Sequence, residues 1–63
     1  MEEILNELIG LSQEEAKTLC IDNGYEVRVL REDLKNYVCT MDFRFKRINL
    51  DLDNDIVTKC DIG

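Results

Sequence analysis

The chain has 63 residues and a formal net charge of −6, with fourteen acidic side chains, eight basic ones and no histidine. One domain spanning residues 1–63 is all that such a length allows, and 44% apolar with 35% charged residues favours a folded chain over a disordered one. The acidity argues against binding a nucleic-acid backbone; without histidine or a Gly-rich phosphate loop, neither an enzyme nor a cofactor or metal site is expected.

The amino-terminal "MEEILNELIG" has no basic region and only a short apolar element, so it reads as neither a signal peptide nor a membrane span. A cytosolic protein is the expectation, and a processed secreted form the alternative. Ile4, Leu5, Leu8 and Ile9 suit either a helical turn or an extended arm across a sheet. In "LSQEEAKTLCIDNGY", Ser12 and Glu15 have the spacing of a capping box, with Leu11 and Ala16 as the accompanying staple. Glu14 and Glu15 favour the positive end of the helix dipole, and Asn23–Gly24 supplies a left-handed stop. These signals predict a helix over residues 13–22.

"EVRVL", residues 26–30, alternates as a strand with Val27 and Val29 inward. "RINLDLD", 47–53, alternates with Ile48, Leu50 and Leu52 inward and Arg47, Asn49 and Asp51 outward. Asp53–Asn54 is a candidate turn. "IVTKCDI", 56–62, is the returning strand, with Cys60 in phase with Ile56 and Ile62 as a core residue. Three cysteines without a CxxC spacing speak for reduced thiols, with a Cys39–Cys60 bridge as the main competitor and a zinc site as the weakest reading.

The connection over residues 31–46 is long for so small a domain. Its first half, "REDLKN", is polar; its second, "YVCTMDFRF", is apolar and aromatic, which points to a recognition surface. Met41, Phe43 and Phe45 alternate on odd positions, whereas Ile48, Leu50 and Leu52 alternate on even ones. A strand cannot exchange faces without a bend, bulge or break, so the chain must turn near Lys46–Arg47. The plain alternative for Arg47 is a solvated strand residue paired with Asp51. Thr40 and Asp42 could equally be polar loop residues bonded to local backbone. One of Phe43 and Phe45 is expected to anchor the loop on the sheet, since two exposed rings are costly in a monomer.

The ordered set "LIGLSQEEAK", "VRVL", "CTMDFRFKRINLDLD" and a final "IG" resembles the potato inhibitor I family of serine-protease inhibitors, over about Leu5 to Gly63. The resemblance implies an α+β fold: one α-helix packed on a small mixed β-sheet, with a long exposed loop between two parallel strands. It implies a binding loop over about residues 37–46 whose residues Cys39, Thr40, Met41, Asp42, Phe43 and Arg44 enter the cleft of a subtilisin-like or chymotrypsin-like serine protease. Met41–Asp42 would be the reactive bond, with Met41 in the primary specificity pocket. Thr40, Asp42, Arg47 and the Gly63 carboxylate would support the loop. The chain departs from the family at Asn49, where many relatives have a second supporting arginine, at Cys39, at Leu5, and in the longer "REDLKNY". An interaction module using the same loop on a non-protease partner is the second expectation, and a monomer the default state.

Overall fold

The structure is a computed structural model and describes residues 3–37 and 42–63. Two helices, α1 (Glu3–Leu8) and α2 (Gln13–Asp22), precede β1 (Glu26–Glu32), β2 (Lys35–Asn36), β3 (Arg47–Asp53) and β4 (Ile56–Ile62). The strands form one mixed sheet in the order β2-β1-β3-β4, parallel between β1 and β3 and antiparallel elsewhere. The fold is α+β on a small mixed sheet, as expected.

Local chemistry accounts for the helices. The Ser12 hydroxyl accepts the Glu15 amide at 3.2 Å while the Glu15 carboxylate accepts the Ser12 amide at 3.3 Å, so two amides that the first turn leaves free are satisfied. At the other end the Asn23 amide reaches the Leu19 and Cys20 carbonyls, and Gly24, at φ +81°, turns the chain toward β1. The amino-terminal segment is a helix rather than an extended arm. Ile4 and Leu8, one helical turn apart, are its buried residues.

The core lies between the helices and one face of the sheet. Ile4, Leu8, Ala16 and Cys20 meet Ile48, Leu50, Leu52 and Val57, with Val27 and Val29 packed alongside. Alternation along β3 sets this arrangement: its even residues face the helices and are fully buried. Its odd residues face the other way, yet Arg47 and Asn49 are only 8% and 6% exposed. That second face carries the polar architecture of the site.

Three expectations are corrected. "REDLKN" is not part of an irregular connection: β1 runs on to Glu32, and Arg31 and Glu32 pair with Asn36 and Lys35 in a hairpin. Asp33 makes the turn at φ +56°, its amide donating to the Leu52 carbonyl and its carboxylate accepting the Asn54 amide. The exposed β2 side chains leave no apolar alternation to read. In β4, the residues opposite Leu50 and Leu52 are Cys60 and Val57, so β4 holds one extra residue. This bulge reverses the phase, burying Val57 and leaving Ile56 38% exposed, while Cys60 and Ile62 remain packed on the core. The turn itself is Asn54–Asp55, both left-handed at φ 52° and 67°, one residue later than expected.

Across the ends of β1 and β3, Arg31 grips Asp53 with two bonds of 2.9 Å, and Thr58 adds a third at 2.9 Å. Asp51, the alternative partner considered for Arg47, sits 3.6 Å from Arg31 instead. The Arg31 bonds, followed by Thr58, hold the Asp53 carboxyl down at about 2 from its usual 3.8. A carboxylate with a depressed folded pKa stabilises the fold above its unfolded value and loses that contribution as pH falls toward the folded one. The urea midpoint of the wild type should therefore exceed that of Asp53→Asn at pH 5, with the two converging between pH 4 and 2. Parallel curves through that window would contradict the assignment.

Candidate functional site

The change of phase before β3 is a turn. Residues 42–44 are irregular, Phe45 and Lys46 turn, and the Arg47 amide closes the turn on the Arg44 carbonyl at 3.1 Å. The Glu26 amide donates to the Lys46 carbonyl at 2.7 Å, docking the turn beside the start of β1. From here β3 begins at Arg47, whose parallel partner is Glu26.

Arg47 lies beneath the returning loop. Its Nη2 donates to the Asp42 carbonyl at 3.0 Å and to the Gly63 oxygen at 2.6 Å, and its Nε reaches the same Gly63 oxygen at 3.2 Å. Nη1 stands 3.7 Å from the Asp42 carboxylate. A planar guanidinium can serve several acceptors at fixed angles, which a lysine ammonium cannot do in the same way. The Gly63 amide donates back to the Arg47 carbonyl at 2.9 Å, closing a ring of bonds between the two residues. Arg47 thus brings Asp42 and Gly63 together.

Arg44 lies above this ring. Its amide donates to the Gly63 oxygen at 3.3 Å, and its guanidinium lies 3.1 Å from the Glu26 carboxylate and 3.4 Å from that of Asp42. Asn49 accepts from Arg28 Nε at 2.9 Å and donates to Asp61 at 3.1 Å. The role of Glu26 was not legible in the sequence, because it sits eighteen positions from Arg44 and only the parallel register brings the two together.

Cys39, Thr40 and Met41 lie outside the described residues, so the Met41 side of the expected reactive bond and the Thr40 support do too. The expectation that one phenylalanine anchors the loop is corrected: Phe43 and Phe45 are 71% and 73% exposed. A Cβ placed on Gly63 would stand 3.1 Å from Asn49 Nδ2 and 3.7 Å from the Phe43 ring, so both side chains border Gly63. The turn is steadied instead by Lys46, whose ammonium lies 5.5 Å from the centre of the Tyr25 ring.

Cys20 and Cys60 are free thiols, and Cys60 donates to the Leu5 carbonyl at 3.2 Å. Burial pushes both thiols up, with a smaller contribution from Cys60 on Cys20 and from Asp61 on Cys60. Both therefore stay protonated and weakly nucleophilic at neutral pH. Among the described residues no helix is long and apolar enough to cross a membrane. No model of a known protein family matches the chain, and no curated protein matches it significantly.

Proposed function

We propose that the protein is a serine endopeptidase inhibitor of the potato inhibitor I type, which inserts its loop into a protease cleft as a substrate would. One observation carries the reading: a buried arginine, Arg47, projects from the first residue of β3 onto the Asp42 carbonyl, next to the expected reactive bond Met41–Asp42. The loop's departing side is thereby tied to the sheet and to Gly63 before any partner is met.

Such a tie supports inhibition in two ways. A loop held in its bound conformation loses little entropy on docking, so few contacts give tight binding. After attack on the Met41 carbonyl, the new amine belongs to Asp42, and the Arg47 tie keeps it near the acyl group. Re-formation of the bond then competes with hydrolysis. Methionine suits an apolar pocket, hence subtilisin-like or chymotrypsin-like targets. Asn49, turned to Arg28 and Asp61, favours the second reading, a module that binds a non-protease partner through the same loop.

Titration against subtilisin and chymotrypsin separates the two. The inhibitor reading expects stoichiometric loss of activity for at least one enzyme, and Met41→Lys should move inhibition toward trypsin. If neither enzyme is inhibited at stoichiometric concentration, the inhibitor reading fails and the interaction module stands.

A further inference from the structure

We propose that Glu26 is a positioning residue that clamps the loop a second time, by fixing Arg44 to the first residue of β1. Arg47, the one basic residue of β3, reaches the loop, whereas Asn49 occupies the next outward-facing position and bonds Arg28 and Asp61. The second clamp comes from the loop itself. Arg44 extends to Glu26 at 3.1 Å and to Asp42 at 3.4 Å, and Asp42 continues to Arg47 at 3.7 Å. The result is an unbroken chain of charges, Glu26–Arg44–Asp42–Arg47, that ends on the Gly63 oxygen at 2.6 Å.

The two clamps hold different strands. Arg47 ties the loop to β3 and Gly63, while Glu26 ties it to β1. Asp42 alone could not do the second job, since it lies two residues from Arg44 in the same segment and moves with it. Among the described residues, removing the Glu26 charge would leave the Arg44 side chain with an ion-pair partner in the loop but none on the sheet. Arg44 and Glu26 are about half exposed, so an isolated pair there would be weak; pairs joined in a network act more strongly. The clamp also has a distinguishing property, since exposed charges are screened by salt whereas the buried Arg47 bonds are screened far less.

Amide hydrogen exchange at Arg44 reads the clamp without any protease. That amide bonds to the Gly63 oxygen, so loosening the loop exposes it. In Glu26→Gln, exchange at Arg44 should quicken about two- to fivefold at low salt, the factor a surface pair carries, with β3 amides such as that of Leu50 unchanged. High salt should quicken the wild type toward the variant and change the variant less, since only the Asp42 pairs remain there to be screened. Adding Glu26→Gln to Arg44→Gln should quicken exchange no further, because Arg44→Gln already removes the pair that the two residues share. Equal exchange in wild type and Glu26→Gln, additive single effects, or a change spread over β3 would each overturn the proposal.

The consequence for a protease rests on the inhibitory reading. Glu26→Gln should then be cleaved by subtilisin about two- to fivefold faster at an unchanged urea midpoint. If subtilisin does not bind at all, that reading fails while the exchange result still decides the clamp.

Discussion

Arg47→Ala is expected to lower the stability of the fold by about 2–4 kcal/mol, the range for removing a charged donor from buried acceptors. The estimate follows from what would remain. The Gly63 oxygen would lose both of the bonds it receives from the guanidinium, and the Asp42 carbonyl would lose the one from Nη2. Gly63 is buried, so its oxygen cannot simply recover water. Asp42 is about half exposed and rehydrates, which keeps the loss below the upper limit. A single core of this size rarely supplies more than about 3–5 kcal/mol, so the variant stands near its unfolding threshold.

Arg47→Lys separates support of the loop from support of the fold. It keeps the charge and much of the stem but cannot meet the Asp42 carbonyl and the Gly63 oxygen with one planar group. Its urea midpoint should lie between wild type and Arg47→Ala. Its loop should nevertheless be cleaved at least about tenfold faster than wild type, since about 1.4 kcal/mol of lost restraint is one factor of ten. A wild-type midpoint for Arg47→Ala would show that the buried guanidinium contributes nothing net. Equal cleavage of wild type and Arg47→Lys would remove Arg47 from the loop's support.

The sequence disclosed this site only in part, and the division has a physical basis. The turn before β3 was legible because a change of side-chain phase is a local event: two alternations of period two cannot be joined without a turn, and the turn lies at Phe45–Lys46; a supporting part for Arg47 followed only from the resemblance. The α2 boundaries were legible for the same reason, since a capping box is written within four residues. Glu26 was not, because its meaning depends on a parallel register that brings it beside Arg47. The β1–β2 hairpin escaped notice because β2 has two residues, both exposed, and so no buried face to impose a pattern. The β4 bulge escaped for the opposite reason. Ile56 and Val57 are adjacent apolar residues, and only pairing with β3 decides which of them is buried.

Leucine at two positions tests how far this depends on placement rather than residue type. Leu50 is wholly buried at the middle of β3, between Val29 of β1 and Cys60 of β4. Leu34 is 99% exposed at the hairpin tip. Leu50→Ala should cost about 2–5 kcal/mol, because close-packed neighbours on the helices and flanking strands cannot fully close the space. Set against roughly 3–5 kcal/mol for the whole domain, that loss leaves a large fraction of the chain unfolded at 25 °C, visible as a lost folded baseline in urea titration. Leu34→Ala should stay within about 0.5 kcal/mol of wild type, as surface changes do. The buried substitution should also abolish protection of the Arg44 amide, because the clamp at Gly63 exists only while β3 and β4 are paired. A Leu50→Ala protein that kept its midpoint would mean that the β3 alternation, from which both the core and the position of Arg47 follow, had been assigned to the wrong face.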